Sequence, residues 1–233
     1  MKRYQAIVLL SGGQDSTTCL YYALKRHTPD EVLALSVDYG QRHRIELDAS
    51  EQIATYANVD HVTHSLGVIA DLNDSALVSE DGDVHGDGRE DSEGTLPATF
   101  VPGRNLMFLG LASMVAVKHG ARTIYTGTCE TDYSGYPDCR RSFIDSMEAA
   151  ATEAMPSSCG PLKIETPLMW LTKAQTVTLA KNLGHECWHA LGMSVTCYKG
   201  QRPGCGTCPS CMLRAQGFME AGELDPANTT PLL

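Results

Sequence analysis

The stretch SGGQDS at residues 11–16, with its flanks, constrains the fold more than any other feature of this 233-residue chain. Residues 7–10 read IVLL, which predicts a short buried strand, and residues 17–27 carry apolar side chains at helical spacing. A glycine turn between a strand and a helix lets backbone N–H groups approach an anion, and the helix dipole favours negative charge there. The unit therefore predicts a phosphate-binding loop, although an ordinary strand-to-helix turn has the same pattern.

This loop differs from the two most familiar phosphate-binding loops. No lysine follows its glycines, as GxxxxGKS or GxxxxGKT requires, and the GxGxxG spacing of dinucleotide sites is missing. It matches residue for residue the SGGxDS loop of the ATP-pyrophosphatase superfamily. Members of that superfamily share one reaction: they split ATP into AMP and pyrophosphate and transfer the AMP to an acceptor oxygen. The resemblance implies that ATP is the ligand and leaves the acceptor open.

Strands and helices alternate along the chain, which is typical of an α/β fold with a parallel sheet and right-handed crossovers. The helix at residues 106–117 is apolar nearly all round, which predicts a central, buried position. The predicted segments after the first strand and helix are 31–37, 42–56, 60–65, 106–117, 122–126, 141–153, 162–166 and 172–184.

Two loops follow strands at the predicted carboxyl edge of the sheet, where folds of this kind bind ligands. One is the SGGQDS loop and the other is DYGQRH at residues 38–43. We expect the second loop to form another wall of the site, although a solvated turn ahead of a helix fits the same residues.

Two cations are candidates for contacts with anionic groups. Arg104 follows VPG ahead of the apolar helix, where its planar guanidinium can clamp a phosphate or carboxylate, or pair with a surface acid. Lys173 lies in the first turn of a helix that begins with a capping box. A cation there opposes the helix dipole, which slightly favours a ligand-binding lysine over the more common solvated one.

A polar loop after the strand at 122–126 is a candidate for binding a flat ligand. It contains Ser134, Tyr136 and Asp138. Tyrosine can stack and donate a hydrogen bond, and aspartate accepts paired N–H donors, as a guanine-like edge would require.

Residues 74–97 differ in composition from the rest of the chain. Between residues 80 and 94 the sequence is acidic, rich in glycine and almost free of apolar residues. This predicts a mobile loop or lid inserted into the domain. Its aspartates do not follow the spacing of an EF-hand calcium loop, so we expect no metal site there.

Four cysteines near the carboxyl end follow the pattern C-x7-C-x2-C-x2-C, at Cys197, Cys205, Cys208 and Cys211. Thiolates on tight turns suit a tetrahedral Zn²⁺, and a set of four leaves no open position for catalysis, so we expect one structural zinc ion per chain. An iron–sulfur cluster is the competing interpretation, because spacing alone does not separate the two. We expect residues 1–185 to form the α/β domain and residues 186–233 a zinc-binding segment packed on it.

The charge balance and the cysteine content bear on partners and location. A net charge of -10 disfavours a broad surface for nucleic acid, so we expect no nucleic-acid partner. No stretch approaches the ~20 apolar residues that span a membrane, and the run at 7–10 is too short for a signal peptide. Nine cysteines without an export signal indicate metal or thiol chemistry, so we expect a cytoplasmic protein without a membrane partner.

SGGQDST, DYGQRH, VPGRN, GTCETDYSGYPDCR and the cysteine pattern together resemble the 7-cyano-7-deazaguanine synthase family of the queuosine pathway. The match runs almost end to end, and the acidic insert is its principal departure. The resemblance implies a parallel-sheet, Rossmann-like fold of the adenine-nucleotide α-hydrolase type, with a small zinc-bound C-terminal segment. It also implies a ligase that uses ATP, with Mg²⁺, and ammonia to convert 7-carboxy-7-deazaguanine through an amide into the nitrile.

The resemblance further implies roles for individual residues. Asp15 would be catalytic, acting at the phosphates through Mg²⁺. Residue chemistry and loop position, rather than the resemblance, lead us to expect Arg104 and Lys173 to be catalytic by contacting anionic groups, and Ser134, Tyr136 and Asp138 to contact the deazaguanine. A homodimer is left open. The ATP-binding residues would be Leu10, Ser11, Gly12, Gly13, Gln14, Asp15, Ser16, Thr17, Thr18, Cys19 and Leu20.

Two other functions use the same features. A tRNA-thiolating relative would share the ATP loop, but it would need an RNA-binding surface and a catalytic cysteine pair, which the charge and the expected zinc ligation disfavour. A zinc-stabilised nucleotide-binding module without enzymatic activity would release neither AMP nor pyrophosphate. Activity assays separate both from the synthase.

Overall fold

A computed structural model of the chain describes residues 2–79, 96–131 and 135–228. Most of the predicted acidic insert lies outside these residues, and so does Ser134. The two ends of the insert meet: the N–H of Ala76 donates to the carbonyl of Ala98 at 2.9 Å, and the hydroxyl of Ser75 donates to the same carbonyl at 3.1 Å. The insert therefore leaves and re-enters the fold at one place.

Five parallel strands form the central sheet, in the order β3-β2-β1-β4-β5. In the middle of the sheet Val8 pairs with Ala34 on one side and with Tyr125 on the other. The predicted α/β fold with a parallel sheet is confirmed. The strands are β1 Ala6–Leu9, β2 Val32–Asp38, β3 Asp60–Ser65, β4 Thr123–Tyr125 and β5 Lys163–Glu165.

Eight α-helices are present in the described part of the chain, and they cover both faces of the sheet. They are α1 Gln14–Leu24, α2 Ile45–Tyr56, α3 Val68–Asp71, α4 Arg104–His119, α5 Arg141–Ala154, α6 Lys173–Asn182, α7 His185–Met193 and α8 Pro209–Ala221.

Alternate residues of the strands supply two separate hydrophobic clusters, because successive side chains of a strand point to opposite faces. Val8 and Ala34 belong to the cluster beneath α1, α2, α6 and α7, which also includes Phe218 of α8. Ile7 and Leu35 belong to the cluster beneath α4 and α5. The last two helices thus share a hydrophobic core with the first strands.

The structure differs from the sequence predictions at several helices. α1 begins at Gln14, not Thr17, because the extended Gly13 ends the turn and places the rest of the SGGQDS motif on the helix. α4 was predicted to be buried all round, but Leu106 and Met114 are 50% and 59% exposed, since only one face of the helix covers the sheet. α7 and α8 were not predicted as helices. Within the described residues, no helix has the length and apolar character needed to cross a membrane.

Candidate active site

A cavity of about 920 Å³ opens at the carboxyl ends of β1, β2 and β4. The SGGQDS loop forms one end, and Tyr39 and Glu46 come from the DYGQRH turn and the helix that follows it. Arg104, at the start of α4, and residues of α8 close the other sides. The position at the carboxyl edge of the sheet agrees with the expected location, and it brings the two predicted loops to one cavity.

The SGGQDS loop depends on glycine at residue 12. Gly12 has φ +84, and a Cβ there would lie 2.2 Å from the carbonyl oxygen of Glu46. Its own carbonyl accepts a hydrogen bond from the N–H of Val195 at 2.9 Å. The loop is therefore held between the start of α2 and a segment from near the carboxyl end of the chain.

Hydroxyl groups and a helix terminus give the loop the means to bind an anion. The N–H of Ser11 donates to Oγ of Ser16 at 3.1 Å, and the two hydroxyl oxygens lie 3.0 Å apart. α1 starts after Gly13 without a side-chain cap from the described residues, which leaves N–H groups of its first turn for a ligand.

Gln14 is an unusual member of the loop. Its side chain lines the cavity and is only 2% exposed. Neither its amide oxygen nor its amide nitrogen has a hydrogen-bonding partner among the described residues. A buried amide without partners is costly, so a ligand in the cavity would be expected to supply them.

Lys173 and Asp15 form an ion pair at the edge of this loop. Nζ of Lys173 donates to both carboxylate oxygens of Asp15, at 3.0 and 2.8 Å. Both residues line the cavity, and the lysine side chain is largely buried. The sequence prediction placed both residues at the site, and the structure brings them into contact.

The other half of the cavity is aromatic and contains one cation and one carboxylate. Tyr39, Phe108 and Tyr198 line it, and the guanidinium carbon of Arg104 lies 5.9 Å from the ring centroid of Tyr39. Burial raises the pKa of the Glu46 carboxyl to about 7, and the charge of Arg104 only partly offsets this effect. This half combines flat apolar walls with both signs of charge.

Two of the three residues predicted to contact a flat ligand are among the described residues, and they differ in position. Tyr136 lines the cavity, and its hydroxyl lies 2.7 Å from Oγ1 of Thr99. Asp138 is buried beside the start of α4, where Oδ2 accepts from the N–H of Asn105 at 3.3 Å. Asp138 is not among the described residues that line the cavity. Burial raises the pKa of its carboxyl, against the effect of Arg104 and the Asn105 hydrogen bond.

The predicted ATP-binding residues fall into three groups by position. Leu10, Ser11, Gly13, Gln14, Asp15 and Ser16 line the cavity. Gly12 lies behind the loop against Glu46. The remaining four, which are Thr17, Thr18, Cys19 and Leu20, are completely buried in the interior.

The four cysteines of the C-x7-C-x2-C-x2-C pattern converge. The sulfur atoms of Cys197, Cys205, Cys208 and Cys211 all lie within 4.8 Å of one another, and those of Cys205 and Cys211 are 3.9 Å apart. A tetrahedral Zn²⁺ with bonds of about 2.3 Å would place its sulfur ligands about 3.8 Å apart. The cluster can therefore hold one metal ion, and its dimensions fit zinc.

Backbone groups around the cluster favour thiolates. The N–H groups of Thr207 and Cys208 donate to Sγ of Cys205 at 3.4 and 3.3 Å. Although burial opposes ionisation, these bonds and one from the Thr207 hydroxyl lower the pKa of Cys205 to about 5. Burial raises the pKa of Cys208 and of Cys211, so these hydrogen bonds favour the thiolate, the form that binds a metal ion, at Cys205 in particular.

Comparison with known proteins assigns the chain to a family. The family described as Queuosine biosynthesis protein QueC matches residues 5–222. A 7-cyano-7-deazaguanine synthase from Laribacter hongkongensis is 50% identical over 221 residues, covering 95% of this chain and 93% of that protein. Proteins of the same name from Chromobacterium violaceum and Bacillus subtilis are 48% and 45% identical, over 95% and 94% of this chain and 92% and 96% of theirs. The chain belongs to the QueC family.

Sequence reasoning missed several residues of this QueC-family site. Glu46 was one of many acids on a predicted helix, and Tyr198 was one position after a cysteine ligand, so neither carried a local signal. Arg214 of α8 is 6% exposed and binds Asp225 through Nε and Nη2, at 2.6 and 2.8 Å. Its Nη1 donates to the hydroxyls of Ser194 and Thr196, both at 2.8 Å, so it fixes the segment that contacts Gly12.

Proposed function

We propose that this QueC-family protein is an ATP-dependent 7-cyano-7-deazaguanine synthase, a ligase that forms carbon–nitrogen bonds. Its substrates would be 7-carboxy-7-deazaguanine, ammonia and ATP. The observation that carries the proposal is the single cavity in which the SGGQDS loop faces an aromatic half containing Arg104. The names of the relatives, at 45–50% identity over almost the whole chain, support the same activity.

The reaction needs two activations, because neither a carboxylate nor an amide gives up its oxygen readily. In the first, a carboxylate oxygen attacks the α-phosphorus of ATP and pyrophosphate leaves, which gives an acyl adenylate. Ammonia adds to the acyl carbon, and loss of AMP and a proton leaves the amide. In the second, the amide oxygen attacks the α-phosphorus of another ATP, and a second pyrophosphate leaves. Loss of AMP and the N–H protons then gives the nitrile.

The ATP half of the proposed site lies at the start of α1. Backbone N–H groups and the hydroxyls of Ser11 and Ser16 would bind phosphate oxygens, because these groups already lie at one end of the cavity. Donors fixed before the reaction stabilise the charge that develops on the leaving pyrophosphate. Lys173 would neutralise part of that charge. Asp15 would hold Mg²⁺, which would supply further positive charge near the phosphates.

The aromatic half is proposed to hold the planar substrate. Arg104 lies inside it and, among the described residues, forms no ion pair within 4 Å, so its guanidinium can bind an anionic oxygen of the ligand. Tyr136 would pack against the ring. Contacts from Asp138 and Ser134 remain predictions: Asp138 would act by holding the start of α4, and Ser134 lies outside the described residues.

The four-cysteine cluster is proposed to hold a structural Zn²⁺. Sulfur atoms this close together suit one shared ion, whereas a [4Fe–4S] cluster attaches each thiolate to a different iron and needs them farther apart. When bound, the zinc would stabilise the fold without entering the reaction. Since all nine cysteines are free thiols, we also propose a reducing, cytoplasmic location.

The test is a direct assay of the nitrile. The protein is incubated with ATP, Mg²⁺, ammonium and 7-carboxy-7-deazaguanine, and the products are identified by mass. We expect the nitrile, with two AMP formed for each molecule of it. Accumulation of amide alone would show an amide synthetase, and the absence of AMP and pyrophosphate would refute the synthase.

A further inference from the structure

The position of Glu46 is fixed by the SGGQDS loop. Glu46 lies in the first turn of α2, and its carbonyl oxygen is the atom that excludes any side chain at residue 12. This contact joins the backbone of Glu46 to the ATP half of the cavity. Its side chain is in the aromatic half, where the charge of Arg104 favours the ionised carboxylate. Its own charge adds to the effect of burial in raising the pKa of the Tyr39 and Tyr198 hydroxyls. Glu46 therefore has a defined place between the two proposed ligands.

The carboxylate of Glu46 lacks a hydrogen-bond donor in the part of the chain that the structure describes. Among the described residues, none donates a hydrogen bond to it and none forms an ion pair with it within 4 Å. Burying a carboxylate in this way is unfavourable unless donors are supplied, and its raised pKa expresses that cost. The donors expected at this point are those of a ligand in the cavity.

The surroundings of Glu46 suit a flat ligand with paired N–H groups. Tyr39 and Phe108 have ring centroids 5.4 Å apart and line the same half of the cavity as Tyr198. A carboxylate accepts two parallel hydrogen bonds from the N1–H and 2-amino groups of a guanine-type ring. Adenine presents an acceptor at N1 instead, which a carboxylate repels. A carboxylate here would thus bind the deazaguanine and reject the base of ATP.

Resting on the proposed function, we propose that Glu46 determines substrate specificity by accepting hydrogen bonds from N1–H and the 2-amino group of the deazaguanine. Arg104, the cation beside it, favours the ionised carboxylate, and its guanidinium, which also interacts with Tyr39, can donate to the substrate's oxygen atoms. Asp138 then helps to position Arg104, because its Oδ2 accepts a hydrogen bond from the N–H of Asn105 at the start of α4. Glu46 thus takes the role of acceptor for the guanine-type edge, which the sequence prediction had given to Asp138.

The experiment compares two substrates on two variants. The substrates are 7-carboxy-7-deazaguanine and its analogue with hydrogen in place of the 2-amino group. The variants are Glu46→Gln, which replaces one acceptor with a donor at constant size, and Asp48→Asn, an exposed acid of the same helix turn as a matched control. kcat/KM for each deazapurine and KM for ATP are measured, with Tm as a check on folding.

We expect the unsubstituted enzyme to lose between about fivefold and 150-fold in kcat/KM when the 2-amino group is removed, the range of a good bidentate contact. Glu46→Gln should lose a similar factor in kcat/KM on the full substrate. On the analogue, its kcat/KM should be little lower than that of the unsubstituted enzyme. Its KM for ATP and its Tm should be nearly unchanged. Asp48→Asn should behave as the unsubstituted enzyme.

The outcomes separate this inference from the proposed function. If the unsubstituted enzyme makes the nitrile but Glu46→Gln loses equally on both substrates, or loses nothing, Glu46 does not read the 2-amino group and the inference is overturned. If the unsubstituted enzyme makes no nitrile at all, the proposed function fails and the inference fails with it. A rise in KM for ATP alone would assign Glu46 to the nucleotide and also overturn the inference.

Discussion

Lys173 bonds to both carboxylate oxygens of Asp15, although one residue begins α6 and the other lies in the first turn of α1. The pair closes the edge of the cavity at the place where a phosphate is proposed to bind. Each charge is thus held in position by the other before any ligand arrives. Pairs that act as one unit give non-additive effects on mutation, so this contact can be tested by a double-mutant cycle.

Asp15→Asn and Lys173→Met should each reduce the rate of AMP formation by about 100-fold or more, the scale of losing one fixed charge at a reaction centre. The double variant should be scarcely worse than either single one, because both substitutions break the same unit. Single-turnover AMP release measures this. The exposed pair Lys181 and Glu223, which also involves α6, provides the control, and its removal should leave the rate unchanged. Fully additive losses would show that the two residues act separately.

Gly12→Ala should lower the free energy of unfolding by more than about 2 kcal/mol, because alanine is strained at φ +84 and its Cβ would collide with Glu46. Gly110→Ala is the matched control: it lies within α4, and a Cβ there meets nothing within 4 Å. The control should raise stability by roughly 0.5–1 kcal/mol, through helix propensity. Urea denaturation measures both. Equal changes in the free energy of unfolding for the two variants would mean that the backbone of Glu46 moves away to accommodate the Cβ.

The raised pKa of Glu46 predicts a pH dependence of stability. Its pKa rises from 4.5 to about 7, so the folded protein holds the proton more tightly than the unfolded chain. The resulting stability is complete below about pH 4.5 and is lost as the pH rises through about 7. Relative to Glu46→Gln, the ligand-free protein should therefore become less stable between pH 5 and pH 8, by at most about 1.4 kcal/mol per pH unit. A pH-independent difference in denaturation midpoints between the two proteins would contradict this.

Cys208→Ser should lower Tm and remove the metal, because structural zinc contributes folding free energy. Cys208 is completely buried within the cluster. Cys159→Ser is the control, since this half-buried thiol is not part of the cluster. Elemental analysis should give one zinc per chain for the unsubstituted protein and for the control, and less for Cys208→Ser. Iron with visible absorption would overturn the zinc proposal.

Arg214→Lys should be strongly destabilising although it preserves the charge. Lysine cannot reproduce the paired bonds to Asp225 together with those to Ser194 and Thr196. Leaving buried partners unsatisfied costs about 3–5 kcal/mol in comparable pairs, and thermal denaturation should show this. Arg26→Lys is the control, because the side chain of Arg26 is exposed just after the end of α1, and it should change Tm little. An equally small shift at Arg214 would show that the network rearranges.

Local sequence patterns were sufficient to predict most of the fold. β-branched and leucine-rich runs separated by helical periodicity predicted the parallel sheet, because both signals are properties of adjacent residues. The outer face of α4 was misjudged because composition does not show which face meets the sheet. Glu46 and Arg214 were missed for a related reason: each acquires its role from contacts with residues far away in sequence. The phosphate loop and the cysteine cluster were accessible because their spacing is itself the signal.

The bond from Val195 to Gly12 has a consequence for the newly made protein. SGGQDS is synthesised well before Val195, the residue whose N–H binds its backbone. Helix α8 adds a second contact from later in the sequence, since a Cβ at Gly217 would lie 2.4 Å from Cγ of Lys173. A nascent chain therefore carries the whole phosphate motif before these two contacts can form, and we expect the ATP site to be completed only after α8 has been translated and folded.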